Sequence, residues 1–481
     1  MGLLFILIIP LAAAALSLVP ADRRFAPAVT IAGAFTLLIL ALKTAFTVIN
    51  AGEIVAIADW VSCNSLSALI LLLVAFVALT SAVFSWGYIE GHTGPDKVKK
   101  IQRYYYRFNL FVFSMLAVVL FSQVALVWVA VELTTLMSVF LVSFENTRQA
   151  LEAAWKYVVL TCMGAAFALI GILLLYWAMK STGGKTFTWE ELTAVSQGIN
   201  PGILKTDFIF ILVGFGTKVG LVPMHTWLPD AHSQAPSPVC ALLSGVETTT
   251  ILYVILRLLP ILKVSPSIHS GEWLLVSGLI SVGAAAFLLI QVKDYKRLFA
   301  FSTVEHMGII MVAVGLGGSA AHLGATYQLL SHSITKSLCF FAAGSTLLIA
   351  GTREISSVRG LIRTSPIAGG AFLIGGLAIA GAPPFAVFLS EFSILRAGIA
   401  GGHYIAITLL GIFILMAFAA VMFHVNGMVF GRPPENSVRT ALPKTAVISL
   451  TMALVPVIVL GLYIPDSLYK LLRLAAASLG R

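Results

Sequence analysis

Residues 216–232 read GTKVGLVPMHTWLPDAH, in a chain whose neighbouring segments are almost entirely apolar. Lys218 follows a long apolar run, and Pro223 and Pro229 come shortly after it. A proline in a transmembrane helix frees backbone carbonyls, which are tolerated at membrane depth only where protein or a water-filled cavity satisfies them. The segment therefore predicts a discontinuous membrane helix that holds a titratable amine in a hydrated pocket.

The composition of the whole chain indicates a polytopic membrane protein. Of 481 residues, 59% are hydrophobic and only 10% are charged, and the mean hydropathy is +0.99. Apolar runs long enough to cross a hydrocarbon core recur from end to end, and the first lacks a small-residue cleavage signature, so we expect a retained helix there. The runs predict an all-α fold with about fourteen transmembrane helices, at residues 2–20, 27–49, 66–89, 108–123, 125–144, 153–179, 205–225, 239–260, 273–291, 298–316, 322–350, 366–400, 404–430 and 445–465.

The Lys and Arg residues predict the orientation. Most of them fall in loops on the side of the membrane opposite the N terminus, when the predicted spans are followed in order. Examples are Arg23, Lys100, Lys293 and Arg353. The positive-inside rule places these loops in the cytoplasm and both termini on the outer side. Loops that face an anionic lipid leaflet also account for the formal net charge of +10, so membrane lipids are expected partners and nucleic acid is not.

Cofactor chemistry is not expected within this chain. The sequence has no C-x-x-C pair, no G-x-x-x-x-G-K-[ST] phosphate loop and no Rossmann glycine pattern. Four scattered cysteines are expected to be small core residues: Cys63, Cys162, Cys240 and Cys339. Energy for transport must then come from an ion gradient or from a partner.

Ionisable residues inside the predicted spans indicate function by default, because a charge at the bilayer centre costs at least ~2.5–3.5 kcal/mol. The candidates for proton transfer are Glu132, Lys218, Glu247, His306, His332, Lys336 and Glu391. A carboxylate that approaches or leaves a buried lysine changes how firmly the amine holds its proton, so we expect Glu132 to gate Lys218. The alternatives are a buried ion pair for Glu132 and a structural, hydrogen-bonded histidine for His306.

A second interruption of the same kind follows later in the chain. In each case two prolines lie close to one ionisable residue. Pro223 and Pro229 follow Lys218, and Pro383 and Pro384 precede Glu391. Interrupted segments at corresponding positions in two halves are typical of repeats that flank a site at the membrane midplane. The histidines beside the first interruption, His225 and His232, are expected to hydrogen-bond around it, since their spacing does not predict a metal site.

With these residues placed, the chain resembles the antiporter-like, proton-translocating membrane subunits of three kinds of complex. These are respiratory complex I, the group 4 membrane-bound hydrogenases (hydrogenase-4 component F-like) and the multisubunit sodium/proton antiporters. The resemblance covers roughly residues 60–430 and is carried by VWVAVELTTLMSVFLV (127–142), GTKVGLVPMHTWLPDAHSQAPSPVCALLSG (216–245), DYKRLFAFSTVEHMGIIM (294–311), LLSHSITKSLCFFAAGS (329–345) and GAPPFAVFLSEF (381–392).

The resemblance implies a core of two inverted five-helix repeats with discontinuous seventh and twelfth helices. The implied divisions are residues 1–107 with helices 1–3, 108–262 and 271–430 with the two repeats, and 431–481 with helix 14. The family's gating glutamate falls on Glu132, its lysine on Lys218, and its twelfth-helix position on Glu391. Its central positions fall on His306, His332 and Lys336. Relatives usually carry a lysine or histidine in the eighth helix, where this chain offers Glu247.

These implications favour a non-catalytic, proton-translocating subunit of a respiratory redox complex in a prokaryotic inner membrane. The complex would be of the group 4 hydrogenase, formate hydrogenlyase or complex I type. Partners would be other membrane subunits and a soluble arm with metal centres. The alternatives are a subunit of a multisubunit sodium/proton antiporter, an ion-coupled inorganic-carbon transporter, and a membrane scaffold whose charges form buried ion pairs.

Overall fold

The computed structural model describes residues 2–20, 22–57, 60–91, 97–263, 265–433 and 440–480. Its α-helices are α1 (Gly2–Ser17), α2 (Phe25–Ala51), α3 (Ser65–Gly91), α4 (Lys97–Leu120), α5 (Val124–Val142), α6 (Arg148–Ser181), α7 (Trp189–Val195), α8 (Pro201–Val219), α9 (Trp227–Gln234), α10 (Ser237–Leu242), α11 (Thr248–Leu262), α12 (Ser270–Ile290), α13 (Tyr295–Leu316), α14 (Gly318–Ala350), α15 (Leu361–Thr364), α16 (Pro366–Ile379), α17 (Ala386–Ala400), α18 (Tyr404–Phe430), α19 (Lys444–Leu462) and α20 (Asp466–Ser478). Shorter elements are a π-helical turn (Leu243–Glu247), 3₁₀ turns (Ser196–Gly198, Pro266–Ile268, Ile355–Ser357) and an antiparallel pair, β1 (Ile54–Ile57) and β2 (Val61–Cys63).

The helical, multi-pass architecture is confirmed. Within the described residues, ten helices are long and apolar enough to cross a membrane: α2, α3, α5, α6, the continuous α10–α11 unit, α12, α13, α14, α18 and α19. The other predicted spans coincide with four further helices. Two of these, α1 and α16, are apolar but shorter. The other two are α4, which begins in the basic run KVKK, and α8, which carries three charged residues. The count of fourteen and the two repeats stay predictions.

Both predicted interruptions are present. Helix α8 ends at Val219, and Gly220 follows with a φ of 89°, in the left-handed region that glycine adopts without strain. Helix α16 ends at Ile379, and a connection that contains Pro383 and Pro384 leads to α17. Pro229 was expected to contribute to the first break, but it lies in the first turn of α9, where the missing N–H needs no partner.

Polar residues concentrate on the helices at the centre of the bundle. The most apolar stretch of α10–α11 is buried along its whole length. Most of the corresponding stretches of α13 and α14 are buried too. In contrast, only 33% of the apolar stretch of α2 and 28% of that of α18 are buried. A helix surrounded by other helices can present ionisable groups to protein instead of lipid, so the central helices are where such groups are tolerated.

Close backbone contact joins α12 to α13 and yields a stability prediction. A Cβ atom on Gly308 would lie 2.8 Å from the carbonyl oxygen of Gly278 and would crowd Val282. We expect Gly308→Leu to destabilise the protein by about 1–3 kcal/mol or more, because the helices must separate. Thermal unfolding in detergent measures this, with Gly411→Leu as control, since nothing lies within 4 Å of a Cβ there. Equal stability of both variants would contradict the prediction.

Candidate functional site

Lys218 lies in the last turn of α8, directly before the first interruption. It is 2% exposed, and its Nζ donates to the carbonyl oxygen of Val131 at 2.6 Å and to the hydroxyl of Thr135. These two acceptors lie four residues apart and therefore share one face of α5. The nearest carboxylate oxygen is Oε1 of Glu247, 3.7 Å from Nζ. The amine therefore sits in a polar shell inside the bundle and not against lipid.

Glu247 completes this ion pair from the π-helical turn. Its Oε1 accepts hydrogen bonds from Thr134 at 3.0 Å and from the hydroxyl of Tyr157 at 3.1 Å. Tyr157 also contacts the hydroxyl of Ser138 at 2.8 Å, whereas Oε2 of Glu247 is buried with no partner in the described part of the chain. Single π turns inside α-helices occur frequently at functional sites.

Glu132, which is expected to gate Lys218, is not in direct contact with it. Its Oε2 lies 3.7 Å from the sulfur of Cys162 on α6, and its Oε1 is buried without a hydrogen-bond partner among the described residues. Glu132 follows Val131 by one residue, and one residue turns a side chain by about 100° around a helix. The carboxylate therefore points towards α6, within electrostatic range of Lys218 but not in contact with it.

Lys336 is the second buried amine of the site. Its Nζ donates to the carbonyl oxygen of Phe299 at 2.5 Å and to Ser302 at 2.6 Å, both on α13. Glu305, one turn further along α13, is 5% exposed and interacts electrostatically with Lys336. Sequence reasoning passed over Glu305 in favour of its neighbour His306, although the rule that selected the other ionisable residues within spans applies to it equally.

The two central histidines lie between the interruption before α17 and the π-helical turn. Their ring centroids are 5.1 Å apart. His306 donates through Nε2 to the carbonyl oxygen of Ile379, the last residue of α16, and its Nδ1 then accepts from Gln328 at 3.1 Å. His332 donates to the carbonyl oxygen of Ser244 at 3.1 Å, inside the π-helical turn. Each ring therefore satisfies a carbonyl at an irregular part of the backbone.

Glu391 lies beside the second interruption. It is 5% exposed, it packs against Gly381 in the connection before α17, and its charge interacts with that of Glu305. The preceding residue, Ser390, donates to Gln328, which also contacts His306. Gln328 and Ser390 were not predicted, since neutral side chains within a span give no signal in a single sequence.

The remaining candidates lie near the first interruption. His225 is in the connection between α8 and α9, and its Nδ1 is buried without a partner in the described ranges. His232 stacks on Phe340 with centroids 5.4 Å apart. Neither nitrogen of His232 has a hydrogen-bond partner among the residues that the structure describes, so its expected hydrogen-bonding role stays a prediction. The same residues contain no group of three or more His, Cys, Asp or Glu side chains arranged to hold a metal ion.

The buried groups form an ordered series across the bundle. Lys218 and Glu247 lie at one end, the two histidines and Lys336 in the middle, and Glu305 and Glu391 at the other end. Comparison with known proteins identifies the family of the chain. Residues 122–465 match the family described as NADH:quinone oxidoreductase/Mrp antiporter, TM. The chain belongs to this family.

Relatives support the assignment in sequence and in fold. A hydrogenase-4 component F homolog from Methylacidiphilum infernorum (isolate V4) is 37% identical over 383 residues, which cover 78% of this chain and 80% of that protein. Two solved structures share the fold, each with a TM-score of 0.88. One is the archaeal membrane-bound sulfane sulfur reductase, at 24% identity over 99% of this chain and 96% of the matched chain. The other is the Mrp complex from Dietzia sp. DQ12-45-1b, at 22% identity over 99% and 97%.

Proposed function

We propose that this family member is a proton-translocating membrane subunit of a larger respiratory redox complex in a prokaryotic inner membrane. The observation that carries the proposal is the buried pair of Lys218 and Glu247. Further buried polar groups extend from this pair towards Glu391. Ionisable residues in this setting are expensive and mark ion pathways. Both termini would lie on the outer side, as the distribution of Lys and Arg indicates.

Each group would have a distinct role along the path. Lys218 would store and pass the proton with Glu247 as its immediate partner, and Glu132 would bias this pair from a distance. His332, His306 and Lys336 would conduct through the midplane. Glu305 would join them as an additional group, and Glu391 would deliver the proton at the second interruption.

Partner subunits would supply the driving chemistry. The 37% identical relative is named as a component of a hydrogenase, and both solved neighbours belong to membrane complexes. A group 4 hydrogenase or formate hydrogenlyase type of assembly is therefore the favoured setting, with a soluble arm that carries the metal centres, and a complex I type is the next. Purification of the native assembly and identification of its subunits tests this directly.

The second candidate function is ion exchange without redox chemistry. The fold match to an Mrp complex favours a subunit of a multisubunit sodium/proton antiporter over other transporters, including an inorganic-carbon transporter. Small membrane subunits alone in the purified assembly, with sodium-dependent proton movement in vesicles, would support this candidate. Co-purifying iron–sulfur and nickel–iron proteins would support the redox complex.

Replacing Glu132 tests its role as a remote bias. We expect Glu132→Gln to slow proton movement by roughly fivefold, the effect of about 1 kcal/mol, because the carboxylate acts on Lys218 without touching it. Acidification of vesicles that contain the assembled complex measures the rate. Glu272→Gln is the control, since that side chain is 76% exposed. An unchanged rate with normal assembly would remove Glu132 from the path.

A further inference from the structure

A pocket of about 460 Å³ lies between the end of α9, the connection from α12 to α13 and the residues after α14. By the distribution of Lys and Arg, these segments share the predicted cytoplasmic side of the membrane. The charged residues of its lining are Lys293, Asp294, Arg297 and Arg353, so the lining is basic. Basic pockets between transmembrane helices on this side of a membrane bind the headgroups of anionic lipids.

Hydrogen bonds from three segments fix the backbone of this pocket. The connection after α14 lies antiparallel to the one after α12, where the N–H of Ile355 donates to the carbonyl oxygen of Lys293 at 2.8 Å. In the same pairing the N–H of Tyr295 donates to the carbonyl oxygen of Arg353 at 3.2 Å. The guanidinium of Arg353 donates in turn to the carbonyl oxygen of Ser233, in the last turn of α9, at 2.5 Å. The cations of the lining are therefore held on paired backbone segments.

The one carboxylate of the lining is already engaged. Asp294 caps the start of α13, where its Oδ1 accepts from two backbone N–H groups of that helix at 2.7 and 3.2 Å. Its Oδ2 accepts from a serine hydroxyl of α9 at 2.6 Å. Arg297 pairs with Asp230, also at 2.6 Å. Within the described part of the chain, no carboxylate is in contact with the charges of Lys293 and Arg353.

A third cation lies directly behind the pocket. Lys296 is 1% exposed, and its Nζ donates at 3.2 Å to the carbonyl oxygen of Ser233, the same oxygen that accepts from Arg353. Two cations that share one acceptor repel each other, and an anion beside them lowers this repulsion. The nearby carboxylates do not fill that place. Glu354 accepts from two serine hydroxyls, and Glu145 lines the adjacent cavity without an ion pair among the described residues.

An apolar face of α12 leads into the pocket. Val276, Ile280 and Phe287 are each more than half exposed, and their spacings of four and seven residues place them on one face of the helix. Leu288, next to Phe287, is 38% exposed and lines the pocket together with Lys293. An occupant that joins apolar chains to an anionic group matches this whole surface, whereas a free anion matches only its basic end.

We propose that this pocket binds the phosphate group of one anionic phospholipid of the cytoplasmic leaflet, with its acyl chains along the exposed face of α12. Lys293 and Arg353 contact the phosphate, and Lys296 adds positive charge from behind. The bound lipid connects α9, which follows the first interruption, to α12 and to the residues after α14. Occupancy of the pocket therefore stabilises the contact between the two halves of the chain.

The test titrates lipids into the full chain, purified in detergent and depleted of lipid. Phosphatidylglycerol and phosphatidylcholine with identical acyl chains are compared, and native mass spectrometry counts the bound molecules. One phosphatidylglycerol should bind at least about tenfold more tightly than phosphatidylcholine, because its net negative charge is not offset by a cation of its own. It should also raise the unfolding temperature, since a ligand that binds only the folded state stabilises it.

Two variants locate the site. Lys293→Gln should weaken phosphatidylglycerol binding about tenfold and leave the stability of the lipid-free protein unchanged, because this side chain is exposed and makes no hydrogen bond among the described residues. Arg353→Gln should show the same loss of affinity, although it also removes the bond to Ser233. The control is Lys99→Gln, an exposed lysine at the predicted cytoplasmic start of α4, which should keep the wild-type affinity.

Equal affinity of the wild type for the two lipids would overturn the proposal, because the lipid at this face would then be non-specific. Unchanged phosphatidylglycerol affinity in Lys293→Gln and Arg353→Gln would also overturn it. So would stabilisation by inorganic phosphate or glycerol 3-phosphate equal to that by the lipid, since the pocket would then take a free anion. None of these results bears on the proton path, which Lys218→Met tests separately.

Discussion

Replacing Lys218 by methionine should abolish proton translocation, with a loss of at least about tenfold that corresponds to ~1.4 kcal/mol or more. The amine contacts Val131 and Thr135 of α5 and pairs with the carboxylate of Glu247, which Thr134 of α5 also contacts. Methionine fills a similar volume but cannot carry a proton, so the path is cut at its start. Acidification of vesicles containing the assembled complex measures the loss.

The matched control for this variant is Lys205→Met on the same helix. Lys205 lies near the start of α8, about thirteen residues before Lys218, and is only half-buried, so the same substitution removes a charge outside the central site. It should leave translocation close to the wild-type rate. Full translocation by Lys218→Met, with normal assembly, would show that the buried charges form a scaffold and not a path.

Sequence reasoning located the interruptions because they depend on local chemistry. Proline and glycine end a helix wherever they leave its backbone without hydrogen bonds, and the positions after Lys218 and before Glu391 carry both. Placement of these two ionisable residues in the interior followed from the same local argument, since a charge inside an apolar run needs a protein environment. The bounds of α8 and α17 agree with it.

Sequence reasoning could not identify the partner of Lys218, because that depends on rotation about a helix axis. Glu247 ends a π-helical turn, and the one additional residue in such a turn changes the direction of the following side chains by about 100°. Apolar periodicity in a fully buried helix carries no information on this rotation, because every face of α10–α11 meets protein. The sequence therefore pointed to Glu132 as the carboxylate that acts on Lys218, and only packing shows that Glu247 is the one in contact with it.

The same limitation applies to the packing of His232. Its position next to a predicted break suggested hydrogen bonding, but its ring packs on Phe340 in the interior between α9 and α14. Glu305 shows the opposite case. An ionisable residue within a span was visible in the sequence, but the adjacent His306 was chosen as the candidate. Its position between Lys336 and Glu391 makes it the carboxyl that joins the middle of the series to its far end.

Replacing Glu247 by leucine should impair both folding and translocation. Removal of one partner leaves the ammonium of Lys218 buried with only the carbonyl of Val131 and the hydroxyl of Thr135. Breaking a buried ion pair in this way destabilises a protein by about 3–5 kcal/mol. Thermal unfolding of the purified complex measures the first effect and vesicle acidification the second. Glu247→Gln is the milder control, because its amide oxygen still accepts from Thr134 and Tyr157.

Combining Glu247→Leu with Lys218→Met separates stability from transport. Apolar side chains of similar volume can replace a buried ion pair with little or no loss of stability, so the double variant should recover most of the stability that Glu247→Leu loses. It should not recover translocation, because no group at this position can then carry a proton. Recovery of both stability and translocation would mean that the pair is structural and that protons cross the membrane without passing α11.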